Sequence, residues 1–142
     1  MLETKPIHIL VVDDEPDVEP MFRQKFRKDI KDQKIHFHFE LSAAAALVDL
    51  ESSEVPAEAT LILSDINMPG MNGLELLRVI KEKYPELAVF MVTAYGDEQS
   101  KKTAKDYGAS GFISKPVDFS QLKQDIFKLA ESADCSSQFF IG

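Results

Sequence analysis

Apolar residues occur along the chain in short runs separated by longer amphipathic stretches. The short runs have the length of β-strands and occupy positions 7–12, 35–41, 60–64, 88–93 and 111–114. Three of them are almost continuously apolar, which is typical of parallel strands buried on both faces of a sheet. The pattern therefore predicts five strands, three of them with the character of an interior parallel sheet.

Between and after these runs, apolar residues recur three or four positions apart, which predicts helices. Their stripes comprise Val18, Met21, Phe22, Phe26 and Ile30 in the first helix, Leu47 and Leu50 in the second, Leu74, Leu77 and Ile80 in the third, and Phe119, Leu122, Ile126 and Leu129 in the fifth. The fourth, roughly Asp97 to Tyr107, is largely polar. Its polarity suits either a solvated face or a weakly packed helix.

Residues with strong positional preferences mark several helix ends. Asn72 with Glu75 three residues later has the spacing of a capping box, and Ser42 and Asp118 open the second and fifth helices. Pro20 would interrupt the first turn of the first helix, so that helix is expected either to start late or to bend.

Strands and helices alternate strictly, and parallel strands need a crossover between them. The order therefore predicts an α/β fold, a doubly wound five-stranded parallel sheet with helices on both faces. Residues 1–130 form one domain in this interpretation, and residues 131–142 form a C-terminal tail or the start of a linker. The apolar group Phe139, Phe140 and Ile141 is interpreted as a frayed end, a linker or a dimer contact.

Composition and charge narrow the class of protein. The chain has 142 residues and a net charge of −8, which disfavours direct binding to nucleic acid or to an anionic membrane through a basic patch. A single cysteine, Cys135, allows no internal disulfide. The N-terminus does not resemble a signal peptide, and the apolar runs are far shorter than the roughly 20 residues that span a bilayer. A cytoplasmic protein is therefore expected.

Polar residues stand where four of the predicted strands end. Asp13 and Asp14 follow the first strand, Asp65 follows the third, Thr93 ends the fourth, and Lys115 follows the fifth. In open α/β sheets, ligands bind at the edge where the carboxyl ends of the strands meet. These side chains are therefore expected to converge. Each one alone is explained equally well as a helix cap or a surface charge, but their shared position at one edge is not.

Three carboxylates at one site repel one another, and a single lysine does not offset them. A divalent cation does, and Mg²⁺ is bound by one or two carboxylates together with waters and phosphate oxygens. Asp14 and Asp65 are the expected direct ligands, and Asp13 is expected to act through water. A loop carbonyl near Asn67 is a further candidate ligand.

A metal ion, a carboxylate, a lysine and a hydroxyl together suit phosphoryl transfer. In this interpretation Asp65 is the nucleophile and forms an aspartyl phosphate. Lys115 and Thr93 would hold the other phosphoryl oxygens.

The segments VVDDEP, LILSDINMPGMNGLELL, FMVTAYG and GASGFISKPVD resemble the receiver domain of two-component response regulators, over roughly Ile7 to Ala130. The resemblance implies a flavodoxin-like fold with strand order 2-1-3-4-5. It also implies that Asp65 is the phosphoacceptor, and that the magnesium site is formed by the acidic pocket and a main-chain carbonyl. The residues concerned are Asp13, Asp14, Asp65 and, for the carbonyl, Asn67.

By the same resemblance, Thr93 is the switch hydroxyl and Lys115 is the lysine of the family, with a cis bond to Pro116. Phe112 stands where the family usually has a switch tyrosine. Phenylalanine can rotate inward there, but it has no hydroxyl to bond in the outward state.

Domains of this kind catalyse their own phosphorylation from a phosphohistidine on a sensor histidine kinase or phosphotransfer protein. The surface of the fourth helix, fifth strand and fifth helix then changes its preference for a downstream protein, an output domain or a second copy of the chain. The resemblance therefore implies a phosphoacceptor switch rather than a turnover enzyme.

Two other functions fit part of the pattern. A phosphatase of the haloacid dehalogenase type also uses an aspartyl nucleophile, magnesium and a lysine. Its second aspartate, two residues after the nucleophile, is replaced here by Asn67, which cannot shuttle a proton. The other is a receiver that is never phosphorylated and serves as an interaction module, although the acidic, hydroxyl and lysine positions are all intact.

Histidines and one tyrosine have more than one interpretation. His36 and His38 have a spacing common among metal ligands, but HFHFE alternates with a period of two. That period predicts both histidines on the outer side of an edge strand and the phenylalanines facing inward. His8 is expected to be a half-buried strand residue. Tyr95 either shields the phosphoryl site from water or lies on the surface.

Overall fold

The structure is a computed structural model that describes residues 7–52, 61–94 and 98–131. Its elements are β1 (Ile7–Val12), α1 (Val18–Lys25), α2 (Arg27–Lys31), β2 (Ile35–Glu40), α3 (Ala43–Ser52), β3 (Leu61–Asp65), α4 (Gly73–Lys83), β4 (Ala88–Thr93), α5 (Glu98–Asp106), β5 (Gly111–Ser114) and α6 (Phe119–Glu131). Within those three ranges, no helix has the length and apolar character needed to cross a membrane.

The strands form one parallel sheet in the order β2-β1-β3-β4-β5. Helices α3, α4 and α5 cover one face, whereas α1, α2 and α6 cover the other. This confirms the predicted doubly wound α/β fold and its flavodoxin-like strand order. Because all strands are parallel, their carboxyl ends lie along one edge of the sheet.

The two faces of the sheet are packed with different side chains. Toward α3, α4 and α5 the core is mostly aliphatic, with Leu10 and Val12 of β1 on this side. Toward α1, α2 and α6 it is rich in phenylalanine. There the Phe37 ring meets Phe26 and Phe22 edge-on, at centroid distances of 5.2 and 5.8 Å. Such edge-to-face pairs are favourable beyond the area they bury.

The first predicted helix is two helices in the structure. Phe26, with φ −107° and ψ 20°, separates α1 from α2. Pro20 is the third residue of α1 and does not break it, because the first N–H groups of a helix have no partner within it. The helix therefore starts late, which was one of the two expected outcomes. Met21 is 41% exposed, so its assignment to the buried stripe was wrong.

The second predicted helix, α3, buries different residues from those expected. Ala43 and Ala46 are buried, whereas Leu47 and Leu50 are only partly buried. The buried face of α3 is therefore centred on the two alanines rather than on the two leucines. Small side chains on the inner face allow α3 to lie close to the sheet.

Helix caps match the sequence prediction. A side-chain oxygen accepts a hydrogen bond from the backbone N–H three residues later, at 2.9 Å for Asn72 and 3.1 Å for both Ser42 and Asp118. Each bond satisfies one of the donors left open in the first turn. Strand limits differ from the prediction by single residues, so that Asp65 is the last residue of β3 rather than the first one after it.

Candidate functional site

Side chains from four strand ends meet at the carboxyl edge of the sheet. Asp13 directly follows β1, Asp65 ends β3, Thr93 ends β4, and Lys115 directly follows β5. The Lys115 Nζ atom lies 3.3 Å from Oδ2 of Asp13 and 3.6 Å from Oδ2 of Asp65. The parallel sheet therefore brings together charged groups that are far apart in sequence.

Three carboxylates form an acidic cluster at this edge. Asp13, Asp14 and Asp65 each offer an oxygen atom, and these atoms lie within 4.8 Å of one another. Asp13 and Asp65 are buried, and Asp14 is half-buried. In residues 7–52, 61–94 and 98–131, this is the one group of three or more histidine, cysteine or acidic residues whose ligand atoms are so close. Oxygen ligands at this spacing fit a hard divalent cation such as Mg²⁺.

Burial raises the pKa of the Asp65 carboxyl above its ordinary value of 3.8, and the charge of Asp13 raises it further. Lys115 and the backbone N–H groups of Asn67 and Ile66 act in the opposite direction without cancelling the rise. The ionised form of Asp65 is therefore under-compensated by the protein. A cation placed against the carboxylate would favour that form.

Lys115 is held in its charged state by its surroundings. Burial by itself would lower the pKa of Lys115, but the charges of Asp13 and Asp65 outweigh it and raise the pKa above 10.5. Among the ion pairs of the described residues, Lys115 is the one cation bonded to the acidic cluster. One ammonium therefore faces three carboxylates, and the site carries excess negative charge.

Thr93 and Asn67 connect the ends of neighbouring strands. The Asn67 Nδ2 group donates to Thr93 Oγ1 over 3.5 Å, and the Lys115 N–H donates to the Thr93 carbonyl at 2.8 Å. Thr93 is buried, whereas Asn67 is exposed. The hydroxyl of Thr93 is thus held beside the loop that follows Asp65.

Gly73 shapes the site, although its role was not identified from the sequence. A Cβ atom at this position would lie 2.0 Å from the carbonyl oxygen of Asp65 and 2.8 Å from the Cα atom of Ile66. The missing side chain lets the start of α4 pack directly on the end of β3, where the Gly73 N–H donates to the Ile66 carbonyl at 2.8 Å. The available signal was a glycine immediately after the capping residue Asn72.

An apolar cavity of about 240 Å³ opens beside Asp65 and Lys115. Its wall includes Met21, Phe22 and Phe119, from α1 and α6. These side chains give the cavity beside the acidic cluster a largely apolar lining. The sequence placed Met21 in the core and therefore did not indicate this wall.

Other residues singled out in the sequence have varied environments. Phe112 is 2% exposed and faces the aliphatic core, and the Lys115–Pro116 bond is cis, as the resemblance implies. Tyr95 and the C-terminal group at 139–141 lie outside the described residues. In β2 the exposed His36 stands between the buried Ile35 and Phe37, as predicted, whereas His38 and Phe39 are both half-buried.

Comparison with known proteins agrees with this geometry. The sequence matches the response regulator receiver domain over residues 9–127. It is 34% identical over 148 residues to the protein-glutamate methylesterase/protein-glutamine glutaminase of Pyrococcus abyssi, covering 97% of this chain and 38% of that protein. The chain thus spans well under half of that relative.

Two solved structures show the same architecture. The signal receiver domain of an HD domain-containing protein from Pseudomonas fluorescens Pf-5 has a TM-score of 0.80 at 25% identity, covering 92% of this chain and 98% of that one. The response regulator TrrA from Thermotoga maritima, in complex with Mg²⁺ and BeF, has a TM-score of 0.72 at 27% identity, covering 87% and 98%. The chain belongs to the response regulator receiver domains of two-component systems.

Proposed function

We propose that this chain is a phosphoacceptor switch, phosphorylated on Asp65 with Mg²⁺ held by Asp13, Asp14, Asp65 and the main-chain carbonyl of Asn67. The observation that carries the proposal is the excess charge at the site, where three carboxylates lie together and a single lysine pairs with two of them. Such an excess favours the binding of a cation. TrrA, which shares the fold, forms a complex with Mg²⁺ and BeF.

In the proposed reaction, a carboxylate oxygen of Asp65 attacks the phosphorus of a phosphohistidine on a sensor histidine kinase or phosphotransfer protein. A P–O bond to Asp65 forms as the P–N bond breaks, and the electron pair of that bond stays on the imidazole, which takes up a proton. Mg²⁺ supplies positive charge to the phosphoryl oxygens. Lys115 and the Thr93 hydroxyl donate hydrogen bonds to the remaining oxygens.

The site suits a lasting modification better than turnover. Two residues after Asp65 stands Asn67, whose amide is engaged with Thr93 and cannot act as a general acid or base. The chain would therefore catalyse its own phosphorylation and only slow dephosphorylation.

The proposed readout runs through Thr93 and Phe112 to the surface of α5, β5 and α6. Phosphorylation adds negative charge beside Thr93, and Phe112 lies on the neighbouring strand, opposite Met91. Ala104 is the one buried residue of α5, so this helix is held by few core contacts. A small change at the site is thus sufficient to alter how this surface meets a downstream protein, an output domain or a second copy.

The receiver is proposed to comprise residues 1–130, with residues 131–142 as a tail or linker, and to act in the cytoplasm. The family match over residues 9–127 supports the extent proposed for the receiver. The net charge of −8 supports a protein partner rather than direct contact with nucleic acid or membrane.

The test is incubation of the full chain with acetyl phosphate and Mg²⁺, followed by mass spectrometry of the intact protein and of its peptides. We expect one phosphoryl group on Asp65, no label without Mg²⁺, and no label on Asp65→Asn. Asp29→Asn, at another buried aspartate, is the matched control and should be labelled like the wild type. Aspartyl phosphate is labile, so peptides are prepared after borohydride reduction.

Three results would contradict the proposal in different ways. A label on another residue would show that the wrong nucleophile was chosen. Persistent absence of a label, with partner binding equal in wild type and Asp65→Asn, would favour a phosphorylation-independent interaction module. Continuous release of phosphate from phosphomonoesters would favour a phosphatase.

A further inference from the structure

All three histidines of the chain lie together on adjacent strands. His8 of β1 is directly opposite His36 of β2 in the parallel register, and His38 is two residues further along β2 on the same face. The ring centroid of His8 lies 5.2 Å from that of His36 and 6.5 Å from that of His38. Since side chains alternate along a strand, the three rings share the face covered by α3.

The distance between the His8 and His36 rings is close to that of two imidazoles that share a metal ion. Zinc binds histidine nitrogen at about 2.0–2.1 Å, which places the centroids of two rings in a tetrahedral site roughly 5 Å apart. The His8–His36 separation already has this value. The His38 ring, at 6.5 Å, must approach that of His8 by about 1.5 Å, which rotation about its side-chain bonds can supply. Without a metal ion, the histidine nitrogens lie further from one another than the carboxylate oxygens of the acidic cluster do.

The position of the rings leaves a path for an ion. His36 is exposed, and His8 and His38 are half-buried. β2 is one of the two edge strands of the sheet, so solvent reaches its outer side. His8 and His36 lie five residues before Asp13 in the parallel register, and His38 lies three residues before it, so the rings are about 10–16 Å along the strands from the acidic cluster.

We propose that His8, His36 and His38 form a second metal site, which binds Zn²⁺ through three imidazole nitrogens and leaves its fourth position to water. Imidazole ligands suit zinc, whereas the carboxylates at the carboxyl ends of the strands suit magnesium. The bound ion ties the edge strand β2 to β1. It stabilises the fold at a place remote from Asp65 and does not require phosphorylation.

The test uses the full chain without a histidine tag, titrated with Co²⁺ as a spectroscopic substitute for Zn²⁺. We expect one equivalent bound with the strong visible absorption of tetrahedral cobalt. Added Zn²⁺ should remove that absorption and raise the melting temperature. Because His36 is exposed, His36→Gln retains the fold, and we expect it to weaken binding at least about tenfold. His38→Gln should do the same.

The matched control is Asp13→Asn combined with Asp65→Asn, which removes two of the three competing carboxylates. This variant should bind Co²⁺ with the same spectrum and affinity as the wild type. Binding that survives His36→Gln and His38→Gln, or binding that disappears in the aspartate variant, would overturn the proposal and assign the ion to the acidic cluster. Absence of binding would show that the rings only pack. None of these results bears on the phosphorylation of Asp65.

Discussion

Two regions of this molecule contain a buried aspartate paired with a lysine, and they differ in net charge. At the carboxyl edge of the sheet, the acidic cluster around Asp65 shares the ammonium of Lys115. Between α2 and α6, Asp29 faces Lys123 at 2.9 Å, and the same ammonium lies 5.3 Å from the ring centroid of Phe26. The two aspartate side chains are similarly inaccessible, at 7% and 12% exposure for Asp65 and Asp29.

The comparison shows what distinguishes a binding site from a structural ion pair. One carboxylate and one ammonium neutralise each other, and the pair between α2 and α6 links two helices. One ammonium does not neutralise three carboxylates, and burial together with the charge of Asp13 raises the pKa of Asp65. The number of charges that converge, rather than the closeness of any one contact, therefore indicates a ligand.

Exchange of each lysine for methionine is the strongest way to separate the two regions. Lys115→Met should slow the labelling of Asp65 by acetyl phosphate about 100- to 1,000-fold, because a group that stabilises the transferring phosphoryl oxygens is lost. Lys123→Met should change that rate by no more than about twofold. It should instead lower the free energy of unfolding by about 1–3 kcal/mol, since Asp29 remains buried without its partner. Equal losses of labelling in both variants would contradict the distinction.

Gly73 tests whether the acidic site also depends on close backbone contact. Gly73→Ala places a Cβ atom against the Asp65 carbonyl, so we expect the free energy of unfolding to fall by about 3 kcal/mol and the labelling of Asp65 to drop with it. Gly70→Asn is the control. Gly70 has φ +77°, a Cβ atom there would meet no other atom within 4 Å, and asparagine tolerates this backbone conformation. Denaturant unfolding measures both, and similar stabilities for the two variants would refute the argument.

Asparagine substitutions should have opposite effects on stability in the two regions. Because the folded state raises the pKa of Asp65, the unfolded chain releases this proton first, and stability falls as pH rises from about 3.8 through the folded pKa. Asp65→Asn removes this penalty and should be more stable than the wild type at neutral pH. The advantage should vanish toward pH 4 and shrink when Mg²⁺ is added.

Asp29→Asn removes the charge that pairs with Lys123 and should therefore destabilise the protein. The loss should be only about 1 kcal/mol, because Lys123 is 38% exposed and recovers part of its solvation. Thermal melts of both variants across this pH range measure the difference. Destabilisation by Asp65→Asn at neutral pH would show that the excess charge is compensated within the protein.

Most of the fold was predictable from the sequence, and so was the convergence of Asp13, Asp65 and Lys115 at one edge of the sheet. The apolar runs 7–12, 88–93 and 111–114 coincide with strands, and Asn72 caps α4 as its spacing indicated. That convergence followed because parallel strands present their carboxyl ends at one edge. The separation of α1 from α2 at Phe26 and the partial burial of Leu47 were not predictable. The spacing of apolar residues indicates which face of a helix is buried, but not which side chains the packing covers completely.

The sequence by itself determined the order of strands and helices, because burial on both faces requires continuous apolar runs and parallel strands require crossovers. It also determined which charged residues stand at strand ends. Only the tertiary structure decided the distances: a lysine shared by two aspartates, a glycine against the backbone of β3, and three histidine rings on one face. Electrostatic and ligand-binding energies depend on separation and burial in space, and neither quantity is encoded by position along the chain.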